Sequence, residues 1–191
     1  MTRHGSPIIS PCAAISMPPL RPRPEAAAMT GPMVRTSHLT LRVTDLARSR
    51  GFYEKALNLH VIGDDPLGRL YLAADPEDVQ PLLVLEQAAD AGAAPRPVDP
   101  EPYIGMEHWA FELDSDDFAT LQAVYRRLKE IGAEIHHTVD HRVTESIYFL
   151  DPDRNMIEIY LNAPRERFAG HMDHPYGSLG DLDDRLAGKA G

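Results

Sequence analysis

Apolar and polar residues along the chain switch between a period of two and a helical period, and they do so twice in the same order. In "SHLTLRV", Leu39, Leu41 and Val43 fall on one strand face and His38, Thr40 and Arg42 on the other. "TDLARSRGFYEKALNL" changes to helical spacing, with Thr44 or Asp45 as the cap and a stripe of Leu46, Phe52, Tyr53, Ala56 and Leu57. Three strand-like pieces follow, "HVIG", "RLYLAA" and "PLLVLEQ", the last two separated by a "DPED" turn. The second half repeats the plan. "EHWAFEL" places Trp109, Phe111 and Leu113 opposite His108, Ala110 and Glu112. "SDDFATLQAVYRRLKEIG" predicts a helix that starts at Ser115 or Asp116, carries a stripe of Phe118, Leu121, Val124, Tyr125, Leu128 and Ile131, and stops at Gly132. "AEIHHTV", "ESIYFL", a "DPDRN" turn and "NMIEIYL" complete it.

Each half therefore reads strand, helix, strand, strand, strand, and each opens with a histidine on the face opposite the helix. A repeated unit of this size predicts an α+β fold: two βαβββ modules related by a pseudo-twofold axis, forming a curved mixed sheet around a cleft. The expected boundaries are modules at 36–88 and 105–162 with a linker at 89–104. Residues 1–35 hold seven prolines, four arginines and one acidic residue, so a disordered leader is expected there. Its prolines interrupt any signal-peptide core, and translation from Met29 or Met33 is consistent with the pattern. Residues 163–191 keep apolar anchors at Phe168, Met172, Tyr176, Leu179, Leu182 and Leu186, which predicts a tail packed near the cleft with a short helix from about Asp181.

The last strand raises a chemical question. Ile157, Ile159 and Leu161 share one face, and Met156, Glu158 and Tyr160 the other. An unpaired carboxylate buried in such a strand costs several kcal/mol, so Glu158 needs water, a cation or a metal. His38 and His108 occupy equivalent places in the repeat, also facing away from the helices. Two histidines and one carboxylate converging on a concave surface form a set that holds a divalent metal and leaves positions open. A strand histidine taken alone is more often a hydrogen-bonded rim group; the repeat is what favours metal.

Composition narrows the setting without deciding the chemistry. The 191 residues are 43% hydrophobic and 25% charged, which suits a globular chain. A net charge of −10 argues against nucleic acid. One cysteine, Cys12, excludes an intrachain disulfide framework and fits a reducing compartment. No apolar run approaches the roughly 18–20 residues of a membrane helix, and the expected location is the cytoplasm.

With these residues identified, the chain resembles the vicinal oxygen chelate superfamily of glyoxalases, fosfomycin and bleomycin resistance proteins and extradiol ring-cleavage dioxygenases. The resemblance covers residues 36 to about 162 and is carried by "SHLTLRVTDLARSRGFYEKALNL", "GMEHWAFELDS" and "VTESIYFLDPDRNMIEIY". Its ligand positions fall on His38, His108 and Glu158. The chain is most similar to the small single-domain extradiol dioxygenases, in which a tyrosine stands ten residues ahead of the ligand glutamate, as Tyr148 does here, and a histidine lies in a "DHGVT"-like segment, here "DHRVT" with His141. The resemblance implies Fe(II), or Mn(II) or another divalent metal, held by His38, His108 and Glu158. It also implies a catechol-type diol and O2 as substrates, His141 as acid/base, and Tyr148 as a hydrogen-bond partner of a substrate oxygen. Partners expected on this reading are the small diol, O2 and further copies of the chain in a homo-oligomer, with no nucleic acid and no membrane. Arg142 and Arg154 stand where the family's pattern has glycines, and a left-handed turn at Arg154 would cost on the order of 1 kcal/mol.

Other residues and other classes compete. His141 beside Asp140 reads equally as a solvated rim group, and Tyr148 as a packed side chain. Of His136 and His137 only one can face the cleft, and strict alternation selects His136 or neither. His171 and His174 lie in an irregular stretch of the tail. Glyoxalase-type isomerases use a fourth ligand from the last strand of the first half; aligning "PLLVLEQ" with "NMIEIYL" puts apolar Val84 at the place of Glu158 and Glu86 at that of Tyr160. A thiol transferase of the fosfomycin-resistance type needs a basic cleft, and Arg42 is the only strand cation on the ligand face. A metal-free drug-binding protein would need no ligand set.

Overall fold

A computed structural model describes residues 37–89, 106–171 and 177–189. The leader lies outside the described residues, as do residues 90–105 of the linker region, and His174. The elements run β1 (Leu39–Val43), α1 (Leu46–Ala56), β2 (His60–Asp64), β3 (Leu70–Ala73), β4 (Leu83–Gln87), β5 (Trp109–Glu112), α2 (Phe118–Glu130), β6 (Glu134–Asp140), β7 (Thr144–Leu150), β8 (Met156–Asn162) and α3 (Asp183–Leu186), with two short 3₁₀ turns at Arg165–Arg167 and Ala169–His171. Two βαβββ modules are present, as the repeat predicts. Their strands form two four-stranded mixed sheets, ordered β1-β4-β3-β2 and β5-β8-β7-β6, instead of one continuous sheet. In each, the first strand of the module pairs in parallel with the last.

The period-two faces explain where the core sits. Leu41, Val43, Leu83 and Leu85 of the first sheet and Ile147, Phe149, Ile157, Ile159 and Leu161 of the second belong to one buried cluster with Tyr53 of α1 and Leu121, Tyr125 and Leu128 of α2. The helix-bearing faces thus share a core, and the opposite faces carry the histidines. Helix ends follow local chemistry. The Asp45 side chain accepts from the Arg48 N–H and caps α1, and Asp117, the residue after the predicted Ser115/Asp116 start, caps α2 through the Ala119 N–H. Ser115 takes a different part: its hydroxyl accepts from the Asp117 N–H. Gly132, at φ +72°, ends α2 as expected.

The "DPDRN" turn between β7 and β8 joins the two modules. Asp151 is buried and accepts from the Tyr53 hydroxyl at 2.8 Å, from both Asn155 nitrogens and from the Asp153 N–H. Burial pushes the Asp151 carboxyl above its ordinary pKa, and burial together with the Asp151 charge pushes the Tyr53 phenol well above its own. Asp153 accepts from the Thr44 N–H and hydroxyl and pairs with Arg48 at 2.8 Å. The turn is left-handed at Arg154, with φ +66°, and the β6–β7 turn is left-handed at Arg142, with φ +71°. Both are held locally: the Arg154 N–H donates to the Asp151 carbonyl and the Arg142 N–H to the Asp140 carboxylate.

The described tail is seated on the second sheet. Leu182 and Leu186 enter the shared core. Arg167 and Arg185 both donate to the buried Glu145, at 2.6 and 2.7 Å, and Arg167 also pairs with Asp140. The Arg185 guanidinium lies over the Phe118 ring, 4.1 Å from its centroid.

Candidate metal centre

The parallel pairing of β5 with β8 sets Ala110 opposite Glu158, and the antiparallel pairing of β8 with β7 sets Glu158 opposite Tyr148. Because Ile157 and Ile159 occupy the core face, Glu158 must project from the other, together with His108 and Tyr148. There Glu158 is only 7% exposed, and its Oε2 lies 3.0 Å from His108 Nε2. The other ring nitrogen of His108, Nδ1, meets the carboxylate of Glu107. His108 thus has a carboxylate at each ring nitrogen, and binding a cation through Nε2 would require Nδ1 to carry the hydrogen that Glu107 accepts. An imidazole lone pair and a carboxylate oxygen facing each other repel unless a proton or a cation lies between them. An outer carboxylate that orients a histidine in this way is the usual support for a metal-binding imidazole. The pair supplies two of the donors that a divalent cation would need.

Tyr148 is the hub of the surrounding side chains. Its hydroxyl lies 3.0 Å from His141 Nε2, its ring stacks on His137 at 4.2 Å between centroids, and His108 meets it edge-on at 5.2 Å. Burial and then the negative charge and hydrogen bond of Glu158 raise the Tyr148 pKa, so the phenol keeps its proton as a donor. Burial, and secondarily His136, lowers the His137 pKa. Strict alternation predicts His136 or neither on this face. The structure corrects that: a β-bulge between Ile135 and His137 inserts one residue, and His137 becomes the partner of Tyr148. His136 contacts the His137 ring from the side, at 4.8 Å between centroids. The neighbouring residues on the β5–β8 face are polar, with Tyr160 and Asn162 both donating to Glu112.

His108, Glu158, Tyr148 and His141 are therefore brought together. His38 is not with them. It is exposed, 3.2 Å from the Ser37 hydroxyl, on a β1 face that includes exposed Thr40 and Arg42. Among the described residues no three His, Cys, Asp or Glu side chains come together in a metal-holding group. One hollow of about 940 Å³ lies elsewhere, lined by Arg48, Phe52, Glu130, Ile131, Asp151 and Arg154, with no histidine in its walls. This hollow lacks the imidazole–carboxylate pair found at His108 and Glu158. His171 ends a 3₁₀ turn and is exposed. Two contributors escaped the sequence reading. Glu107 was legible as the residue before His108, whereas Gly177, whose carbonyl lies 3.0 Å from His141 Nδ1, carried no signal.

The register also answers the question of a fourth ligand. Thr40 pairs with Val84 in the first sheet as Ala110 pairs with Glu158 in the second, and Arg42 pairs with Glu86 as Glu112 pairs with Tyr160. Val84 holds the place of Glu158, and Glu86 is engaged by Arg42 at 3.7 Å.

Comparison with known proteins places these observations. The sequence pattern of the Glyoxalase/Bleomycin resistance protein/Dioxygenase superfamily matches residues 35–159. Catechol-2,3-dioxygenase of Bacillus subtilis (strain 168) is 34% identical over 136 residues, 71% of this chain, but the chain spans only 44% of that enzyme's length. Glutathione transferase FosA of Serratia marcescens is 29% identical over 143 residues, 75% of this chain and 92% of FosA. Among solved structures, a variant of the fosfomycin resistance protein FosX from Listeria monocytogenes, complexed with Mn(II) and 1S,2S-dihydroxypropylphosphonic acid, aligns with a TM-score of 0.53 at 19% identity, covering 73% of this chain and 98% of FosX.

The register makes a direct prediction. Glu86→Ala should leave the protein's metal content unchanged, whereas Glu158→Ala should remove most of it while the circular dichroism spectrum is preserved. Metal analysis of the two purified variants checks both, and equal loss in the two would mean that Glu86 is a ligand.

Proposed function

Because the chain belongs to the glyoxalase/bleomycin resistance protein/dioxygenase superfamily, we propose that it is a metal-dependent extradiol ring-cleavage dioxygenase acting on a catechol-type diol with O2. The observation that carries this reading is the group His108, Glu158, Tyr148 and His141 on one sheet face: two donors facing each other at 3.0 Å, with a phenol and an imidazole in contact beside them. The catechol-2,3-dioxygenase relative supports the substrate class. Fe(II) is the proposed metal, and it would supply positive charge for the diol oxygens and redox access to O2.

The chain's own groups then have distinct tasks. His108 and Glu158 hold the cation, and Glu107 holds His108. Tyr148, protonated at neutral pH, donates to a diol oxygen and orients the ring. His141, in contact with the Tyr148 hydroxyl, takes and returns a proton as the diol reacts. His137 stacks behind Tyr148 and limits its movement.

The third ligand on this reading is His38, supplied by a second copy of the chain. In one chain β1 turns His38, Thr40 and Arg42 outward, away from the shared core, and the face of the second sheet that carries His108 and Glu158 lies on the opposite side of that sheet from the core. Apposing the two faces from two copies brings a histidine to an incomplete pair and encloses a cleft that one chain leaves open. A thiol transferase acting on an anionic drug is less well supported, because Arg42, the one strand cation on the outward β1 face among the described residues, is paired with Glu86. An isomerase with four ligands is disfavoured by Val84.

Three measurements test this. Protein reconstituted anaerobically with Fe(II) should take up O2 in proportion to catechol lost and give a yellow ring-opened product; turnover of a glutathione hemithioacetal with no O2 uptake would assign it to the isomerases. Mixing His38→Ala with Glu158→Ala chains, each inactive alone, should restore O2 uptake, since some mixed dimers contain one intact site; no recovery after subunit exchange would place all three ligands in one chain. His141→Ala should keep its metal and lose about 10²–10⁴-fold in kcat, the usual contribution of a positioned proton-transfer group.

A further inference from the structure

Among the described residues, the tail reaches the site at Gly177. Residues 179 and 180 form a two-bond ladder with the end of β6: the Leu179 N–H donates to the Asp140 carbonyl at 2.7 Å, and the Asp140 N–H donates to the Gly180 carbonyl at 2.9 Å. Two side-chain bonds continue the seating, from the Leu182 N–H to the Thr138 hydroxyl at 2.9 Å and from that hydroxyl to Asp183 at 2.8 Å. This fixes the backbone just before the ladder, where the Gly177 carbonyl lies 3.0 Å from His141 Nδ1. A carbonyl oxygen can only accept, so Nδ1 must carry hydrogen for this bond to form. In the neutral ring the lone pair is then on Nε2, which is the atom 3.0 Å from the Tyr148 hydroxyl.

We infer that the C-terminal segment 177–183 is a positioning element for the site: through the Gly177 carbonyl it holds His141 in the Nδ1–H tautomer and presents the Nε2 lone pair to Tyr148. The opposite tautomer would leave the Gly177 carbonyl facing a lone pair and would put an N–H against the phenol, so that His141 could take no proton from that side. A histidine side chain free in water prefers the Nε2–H form, and the tail reverses this preference. The functional importance of the effect rests on the dioxygenase reading, but the tautomer does not, and it is read without metal, substrate or turnover.

The test is long-range ¹H–¹⁵N NMR of the imidazole nitrogens in the full chain, at about pH 8, above the usual histidine range. The His141 signals are assigned by their loss in His141→Gln. The wild type should show a pyrrole-type Nδ1 and a pyridine-type Nε2. Leu179→Pro removes the N–H that anchors the ladder without removing Arg167, Arg185 or the core leucines, and should shift His141 to the Nε2–H form. Leu179→Ala keeps the N–H at a side chain that is 55% exposed, and should retain the wild-type pattern. Thr138→Val removes both hydroxyl bonds and gives a second route to loosening if the proline variant does not fold. An Nε2–H wild type, or unchanged Nδ1–H signals in whichever of the loosened variants folds, would overturn the inference. A normal tautomer result together with absent O2 uptake would instead leave the tail's role standing and remove only the dioxygenase reading.

Discussion

A carboxylate withdrawn from water has to be matched by another group, and in this protein five of them decide how the parts fit together. Asp140, Glu145, Asp151, Asp153 and Glu158 are all buried. Asp153 is matched by Arg48 and Thr44 of the other module, Asp151 by four hydrogen bonds that include one from Tyr53, and Glu145 and Asp140 by arginines of the tail. These contacts bind module to module and tail to sheet, because removing either partner would leave a charge that its surroundings cannot solvate. Glu158 is different. Its neighbours are an imidazole and a phenol, groups that can release or share a proton, and on the proposed reading a cation takes the place of the missing guanidinium.

Much of this could be read from the residues. The two βαβββ patterns, the core faces of β1, β4, β7 and β8, and the pairing of Val84 with the place of Glu158 all follow from alternation, since a strand with one buried face has little freedom to slip. Alternation fails where the backbone breaks it. The bulge after Ile135 moved His137 onto the Tyr148 ring, and no residue type in "EIHHTV" announces an inserted residue. His38 shows a second limit. Its place in the repeat was legible, but a pseudo-twofold pattern does not say whether equivalent faces meet within one chain or between two. The left-handed turns at Arg142 and Arg154 show a third, because local hydrogen bonds to Asp140 and Asp151 sustain a conformation that side-chain identity argues against.

On the proposed reading, the outward face of the first sheet bears on the choice among superfamily members. A face meant for a phosphonate or another anion would leave a guanidinium available, and here Glu86 engages the one that β1 provides. A face with four metal ligands would need an acidic residue where Val84 stands. The side chains in contact around Glu158 are His108, Tyr148, His137 and His141, the aromatic surroundings on which the proposed diol reading rests.

The arginine clamp on Glu145 has a consequence for how the chain is made. Arg167 follows Glu145 by 22 residues and Arg185 follows it by 40. During synthesis, the β6–β7 hairpin leaves the ribosome while both counter-charges are still inside or unmade, and translation proceeds at about 5–20 residues per second. For that interval the second sheet cannot close over Glu145 without stranding a charge. The segment that carries Arg167 and Arg185 therefore has to emerge before Glu145 can be enclosed together with its counter-charges.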